Sequence, residues 1–327
     1  MFFRILLLGL VLTSASISAK TLKIATLSPE GSIWMQKFRQ VASEVKTQSD
    51  GRVKIKFYPG GVMGDDEAVL KKIKIRQLHG GAMTGGSLSR FYADSQVYSL
   101  PLKFDSLSQV RKVRNEIDAD ISQGYEDGGF VTFGLAGGGF AYIMSKQPIA
   151  HPDDLKGRKT WAPSADAATV AAFDAFSISP IPLGIGDVLA GLQTGLIDTV
   201  ATSPVAAITL QWHTQIKHVT QVPLIYVYAV LAVQKKAFDK LKPEDQQVVR
   251  SLFGKAFKEL DAESEKDNQK ALDALAAQGI NLITPDAQQL AAWKNLARKA
   301  EQAMINQGAV SQSMADKLER LLADKAE

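Results

Sequence analysis

Residues 21–61 read TLKIATLSPEGSIWMQKFRQVASEVKTQSDGRVKIKFYPGG. Leu22 and Ile24 at the front, and Val53, Ile55 and Phe57 at the back, alternate with other residues as strands do. Between them Trp34, Phe38, Val41 and Val45 recur at helical spacing. Pro59-Gly60-Gly61 ends the second strand, and Val69, Leu70 and Ile73 mark a second helix. Strand, helix, strand, helix up to about Gly80 predicts an α/β sheet with helices on its faces.

Working outward, residues 130–136 and 140–144 read as two further strands separated by a turn at Gly137-Gly138-Gly139. The glycine spacing does not fit G-x-G-x-x-G, so no dinucleotide site is expected. After polar, turn-forming residues 148–157 come a strand near 159–162 and a helix over about 165–176, ahead of Pro180 and Pro182. Residues 187–194 read as a short helix stopped by Gly195, and 197–201 as the strand it feeds. Residues 223–233 are almost continuously apolar, the pattern of a strand buried on both faces. Pro243 opens a helical stretch reaching about Gln278. Its apolar set thins after Leu260, as expected where a helix bridges two lobes. A helical tail runs from Pro285.

The first residues set an expected compartment. Arg4, an apolar run over 5–12 and small polar residues over 13–19 have the layout of a secretory signal peptide, with cleavage expected after Ala19. The apolar run is far short of the roughly 20 residues a spanning helix needs, so no direct membrane insertion is expected. The chain has 327 residues, 46% of them hydrophobic, and no cysteine. It must therefore rely on its own core, divided between two domains, without disulfides, thiolate zinc or a lipidated cysteine. A formal charge of +4 falls to about +3 with loss of Arg4. Basic residues are spread among acids, which argues against nucleic acid as a partner.

No catalytic constellation stands out. His79, His151, His213 and His218 include no pair three or four residues apart, and H-E-x-x-H, G-x-S-x-G and G-x-x-x-x-G-K-[ST] are all absent. Two carboxylate pairs, Asp65-Asp66 and Asp153-Asp154, sit beside turn residues and read as helix caps. The expectation is a protein that binds a small molecule without transforming it, and with no cofactor or metal.

Several segments, in order, resemble the DctP-type periplasmic solute receptors of tripartite ATP-independent periplasmic (TRAP) transporters. They are Gly51-Arg52-Val53-Lys54-Ile55, Gly64-Asp65-Asp66, Pro101-Leu102-Lys103-Phe104 and Ser145-Lys146-Gln147-Pro148-Ile149. The series continues with Asp153-Asp154-Leu155-Lys156-Gly157-Arg158-Lys159, Gly184 through Leu189, and Leu192-Gln193-Thr194-Gly195-Leu196-Ile197-Asp198. The resemblance implies a two-lobed α/β periplasmic binding protein with hinge strands and a long bridging helix. It implies residues 20–139 plus about 230–262 as lobe I, and 140–229 plus about 263–327 as lobe II. Such a receptor is periplasmic and delivers a small organic ligand to the membrane subunits of a TRAP transporter.

The resemblance also marks site positions. The carboxylate-binding arginine of a G-x-K-x-R-x-P motif is replaced by Trp161 within Gly157–Pro163, and Arg158, at an odd offset along the strand, points to the opposite face. Ala141 stands at a second arginine position, flanked by Phe140 and Tyr142. Thr202 takes the place of an asparagine, and Thr84 that of an acidic contact. Ile185 matches a position that packs on ligand. Tyr226 and Tyr228 share one face of the hinge strand and could reach the cleft, whereas Trp212 reads as core and Asp198 as a turn residue. Trp161, Phe140, Tyr142, Thr84, Thr202, Ile185 and Tyr226 are thus the expected ligand contacts. Loss of the arginines implies an apolar or aromatic ligand, at most a weak monocarboxylate. A conventional C4-dicarboxylate receptor using other contacts, a carrier of lipid-like molecules, and a fold recruited for hydrolysis stay open as alternatives.

Overall fold

The structure is a computed structural model that describes residues 19–163 and 172–323. The expected signal peptide, apart from Ala19, and most of the expected helix over 165–176 lie outside the described residues.

The opening unit folds as its periodicity dictates: β1 (Lys20–Thr26), α1 (Ile33–Gln48), β2 (Val53–Tyr58), α2 (Asp66–Lys74) and β3 (Gly80–Thr84). Ser32 caps α1 by accepting from the Met35 amide, and the helix buries Met35, Phe38, Val41 and Val45. α3 (Leu107–Asp127) leads into β4 (Phe130–Ser145). Then come the short pair β5 (Trp161–Ala162) and β6 (Ile181–Pro182), α4 (Val188–Thr194), β7 (Thr199–Thr202), α5 (Pro204–Thr209) and β8 (His218–Gln234). The chain continues through α6 (Lys235–Phe238), α7 (Pro243–Ala277), β9 (Asn281–Ile283), α8 (Ala287–Asn306) and α9 (Gln312–Ala323).

One seven-stranded sheet runs through both lobes in the order β2-β1-β3-β8-β4-β7, with β9 added to β8. β4 and β8 pair antiparallel from Phe130 opposite Gln234 to Ser145 opposite His218. At one end β8 takes up β3, with Thr84 opposite Ala229. At the other end β4 takes up β7, with Tyr142 opposite Thr202. The two long strands therefore join the lobes.

The Gly137-Gly138-Gly139 turn is a correction. These glycines lie inside the continuous strand β4, where the register with β8 shifts between Gly137 and Gly139. They form a bulge because other groups press on the backbone. A Cβ on Gly137 would lie 1.9 Å from the Tyr226 hydroxyl, and one on Gly139, at φ +87°, would lie 2.5 Å from Asn268 Nδ2.

α7 bridges the lobes as expected. Its first half packs Val249, Phe253, Phe257 and Leu260 against α1 and β2, and its far end sets Leu275 beside Trp212 and Ile280. α8 also reaches both sides. Trp293 is buried with Ile143 and Ile149, and Met304 joins Val310, Met314 and Leu318 in the core around α3. Lys103 pairs there with Glu301 and Glu319. The tail is thus shared between the lobes.

Candidate ligand-binding site

A cavity of about 1450 Å³ lies at the hinge, bordered by β3 and the turn after it, β5, α5, the middle of β4 and β8, and α7. This is larger than the roughly 300–1,000 Å³ typical of small-molecule pockets.

The lobe I wall is polar. Asp65 caps α2, its Oδ1 accepting from the Ala68 amide at 2.9 Å. Asp66, one residue on, is buried instead and faces β3: its Oδ2 accepts from the Thr84 amide (3.2 Å), the Thr84 hydroxyl (3.1 Å) and the Ser87 hydroxyl (2.5 Å). The two hydroxyls are themselves 2.8 Å apart. Burial pushes the Asp66 carboxyl above its usual range, against the pull of the three donors. Gly85 then passes directly over Tyr228, where a Cβ would come within 2.0 Å of the ring. Tyr125 donates to the Gly85 carbonyl at 2.9 Å and Tyr228 donates to that of Ser95 at 2.9 Å, their hydroxyls 2.8 Å apart. Burial raises Tyr125 to about 12. Arg90, exposed on the same loop, is the cation lining the cavity among the described residues.

The lobe II wall is built around Trp161. Trp161 is 7% exposed, donates its indole N–H to the Leu183 carbonyl at 2.9 Å, and meets Trp212 edge-on at 5.2 Å. Phe173, Phe176, Ile185 and Leu210 extend this wall, and Thr160, Thr199, Thr202, Ser203 and Thr209 add hydroxyls. At the floor, Tyr226 accepts from Arg114 at 3.3 Å, while Arg114 also holds Asp118, Asp261 and the Leu135 carbonyl. Asp261 in turn accepts from the Gly137 amide at 2.7 Å, so α3, α7 and both long strands meet at one network. Burial raises the Tyr226 phenol to about 12.

Of the expected contacts, Thr84, Trp161, Ile185, Thr202 and Tyr226 line the cavity. Phe140 and Tyr142 do not. Their neighbours Ala141 and Ile143 take the cavity positions, and Phe140 packs edge-on against Tyr226 at 5.8 Å within the core. Tyr228 does line the cavity, and so does Trp212, which is 2% exposed and also core. Asp198 serves its turn, accepting from the Lys159 amide at 3.1 Å. Asp154 caps as expected, accepting from the Ala150 and His151 amides. Asp66, Ser87 and Arg90 were not anticipated. An acid at the first residue of a helix reads as a cap or dipole partner, and Arg90 belongs to no motif. Among the described residues no group of three or more His, Cys, Asp and Glu is placed to hold a metal.

Residues 24–307 match the sequence profile of DctP, described as bacterial extracellular solute-binding protein, family 7. The chain belongs to this family. Relatives of this family 7 protein include the 2,3-diketo-L-gulonate-binding periplasmic protein YiaO of Escherichia coli, 25% identical over 83% of each chain. The C4-dicarboxylate-binding periplasmic protein DctP of Rhodobacter capsulatus is 24% identical over 80% of this chain and 78% of its own. In fold, the protein superposes on a TRAP periplasmic solute-binding protein of Pseudomonas putida F1 with bound D-glucuronate. That match has a TM-score of 0.82 and 23% identity, and covers 94% of this chain and 98% of the other. The family 7 assignment makes the molecule a solute-binding receptor of the two-lobed kind. The expected apolar or aromatic ligand finds no support among these relatives, whose named ligands are polar acids.

Proposed function

We propose that this family 7 receptor works in the periplasm, captures a small organic acid between its lobes and delivers it to the membrane subunits of a TRAP-type carrier. The observation that carries the ligand class is the pairing of Arg90 on the polar wall with the apolar wall around Trp161. A guanidinium presents a planar fork that a carboxylate can accept in two hydrogen bonds. Trp161, Ile185 and Trp212 offer the body of the ligand an apolar surface, and Thr202 and Tyr226 complete the contacts. Closure about the glycine bulge of β4 brings the walls together and expels water. The wholly apolar ligand gives way here to an acid with an apolar side, because Arg90 and the hydroxyls of Thr84, Ser87 and Thr202 border the same cavity as Trp161. Residues 1–19 act as the export signal in this reading, and no helix among the described residues is long and apolar enough to cross a membrane.

A thermal-shift screen of the chain from Lys20 onward against mono- and dicarboxylates, aromatic acids and neutral apolar compounds tests the reading, since a ligand bound only by the folded state raises the melting temperature. Acids are expected to stabilise the protein, and Arg90→Gln to weaken the response. Stabilisation by neutral apolar compounds alone, or a fatty or polycyclic compound extracted from purified protein, would instead favour a carrier of lipid-like molecules, the use to which a cleft with the lobe II wall alone would be suited.

A further inference from the structure

Lysines scattered along the sequence converge on one face of lobe I. β1 pairs parallel with β2, with Thr21 opposite Lys54, Lys23 opposite Lys56 and Ala25 opposite Tyr58. Alternation puts all six side chains on the same side of the sheet. α2 covers part of that side, where its Val69, Leu70 and Ile73 join Ala25 and Tyr58 in one core. At nine residues α2 is only roughly 14 Å long, and Lys54 and Lys56 stay exposed. The chain then returns directly to β1. The Leu78 amide donates to the Lys72 carbonyl, the His79 amide to that of Lys23, and the Lys23 amide to His79 Nδ1. Lys72, Lys74 and Arg76 are thereby drawn to the same end of the face as Lys23, Lys54 and Lys56. Burial, with the charges of Lys23 and Lys240, holds His79 below its ordinary range. β1, β2, α2 and residues 75–79 carry eight basic residues and two acidic ones. Neither acid offsets this face: Asp66 is buried toward β3, and Glu67 is paired with Lys71 at 2.7 Å. Among the described residues, Lys23, Lys54, Lys56, Lys72, Lys74 and Arg76 form no ion pair. A lysine at a helix C-terminus suits the dipole, and one on an edge strand deters pairing. Neither reason gathers Lys23 and Arg76 to one face, or leaves Ile75, 64% exposed, between Lys74 and Arg76.

We propose that this face rests on an anionic lipid bilayer and holds the receptor at the membrane surface. Three observations favour lipid over a folded partner. None of the six unpaired cations borders the cleft cavity, and they stand on a sheet surface and a helix end. Five of the six are lysines, compact charges without the planar fork that a shaped partner exploits, and suited to a fluid layer of phosphates. Ile75 supplies an apolar side chain to enter the headgroup layer beside the basic cluster. Each cation close to an anionic surface adds roughly fivefold to partitioning, and the attraction fades within a Debye length. Adsorption of this kind needs no inserted segment. It also leaves the cleft free, because Lys23 comes roughly 13 Å along the chain before Leu27, which borders the cavity. A receptor held in this way meets a membrane-embedded carrier by moving along a surface.

Co-sedimentation of the chain from Lys20 onward with vesicles of phosphatidylglycerol and phosphatidylcholine in equal parts tests this, with vesicles of phosphatidylcholine alone as the reference. Binding to the anionic vesicles is expected, weakening as salt is raised, and none to the reference. Combining Lys54→Gln, Lys56→Gln and Lys74→Gln is expected to lower partitioning by roughly tenfold or more. Removing the same charge from α7, whose first half packs on the other side of the sheet, with Lys255→Gln, Lys258→Gln and Lys270→Gln, is expected to cost far less. All six lysines are exposed, and melting temperatures confirm that each variant folds. No binding to anionic vesicles at low salt, equal binding to both kinds of vesicle, or an equal loss in the two triple variants would overturn the inference. Binding of polyglutamate while the vesicles stay unbound would also overturn it, and would assign the face to an acidic protein. No ligand enters the assay, so this inference and the receptor reading fail separately.

Discussion

On the lobe I side of the cleft, Thr84 and Ser87 are fixed by hydrogen bonds to a buried carboxylate; on the lobe II side, Trp161 is fixed by packing against Trp212 and a single bond to the Leu183 carbonyl. In the proposed receptor the two walls divide the work of recognition. Apolar contact adds affinity for many shapes, since dispersion and burial are non-directional, whereas hydrogen bonds to fixed hydroxyls are directional and tie affinity to ligand geometry. A cleft made of two lobe I walls would desolvate too many polar groups to bind tightly.

Changes on the lobe II wall should cost stability first. Trp161→Ala empties a buried site and is expected to destabilise the protein by about 3–5 kcal/mol in denaturant unfolding. A loss under about 1 kcal/mol would mean that the wall is held by its neighbours and would erase the contrast between a packed and a hydrogen-bonded wall. Changes on the lobe I wall should cost binding first. Arg90→Gln, at an exposed position, is expected to leave unfolding unchanged and to weaken acid binding by roughly 10- to 100-fold, the range for a hydrogen bond to a charged group; titration calorimetry separates the two. Trp161→Phe removes only the indole N–H and part of the ring, so a stability loss of about 1 kcal/mol is expected and would apportion the wall between its hydrogen bond and its packing.

The smallest effect concerns the carboxylate behind the polar wall. Burial raises Asp66 above its ordinary 3.8, so its contribution to stability is complete below that value and is lost as the pH rises through the folded-state value. Unfolding curves measured from about pH 4 upward should show the wild type losing stability relative to Asp66→Asn. Parallel curves would show that the three donors offset burial entirely.

Much of the architecture was legible because it follows from periodicity. Alternation in Leu22, Ile24, Val53 and Phe57, the helical repeat of Phe38, Val41 and Val45, and the long stretch from Pro243 needed no knowledge of partners. The site was harder to read. Alternation assigns Phe140, Ala141 and Tyr142 to faces only if the register is known, and β4 shifts register against β8 between Gly137 and Gly139 and again between Ala141 and Ile143. Each shift can exchange the faces, and no local signal places it. The bulge exists because Tyr226 and Asn268, distant in sequence, press on the glycines. Asp66 shows the same limit. At the first position of a helix an acid serves the helix equally well whether it faces water or β3, and only the fold brings Thr84 and Ser87 to it.

The tail shared between the lobes carries a consequence in time. Lys103 reaches Glu301 across 198 residues of chain, and the core around α3 is completed by Met314 and Leu318, near the end of the sequence. A chain emerging residue by residue lacks part of the core around α3 until residues 301–318 have been made, and contacts this remote in sequence slow folding.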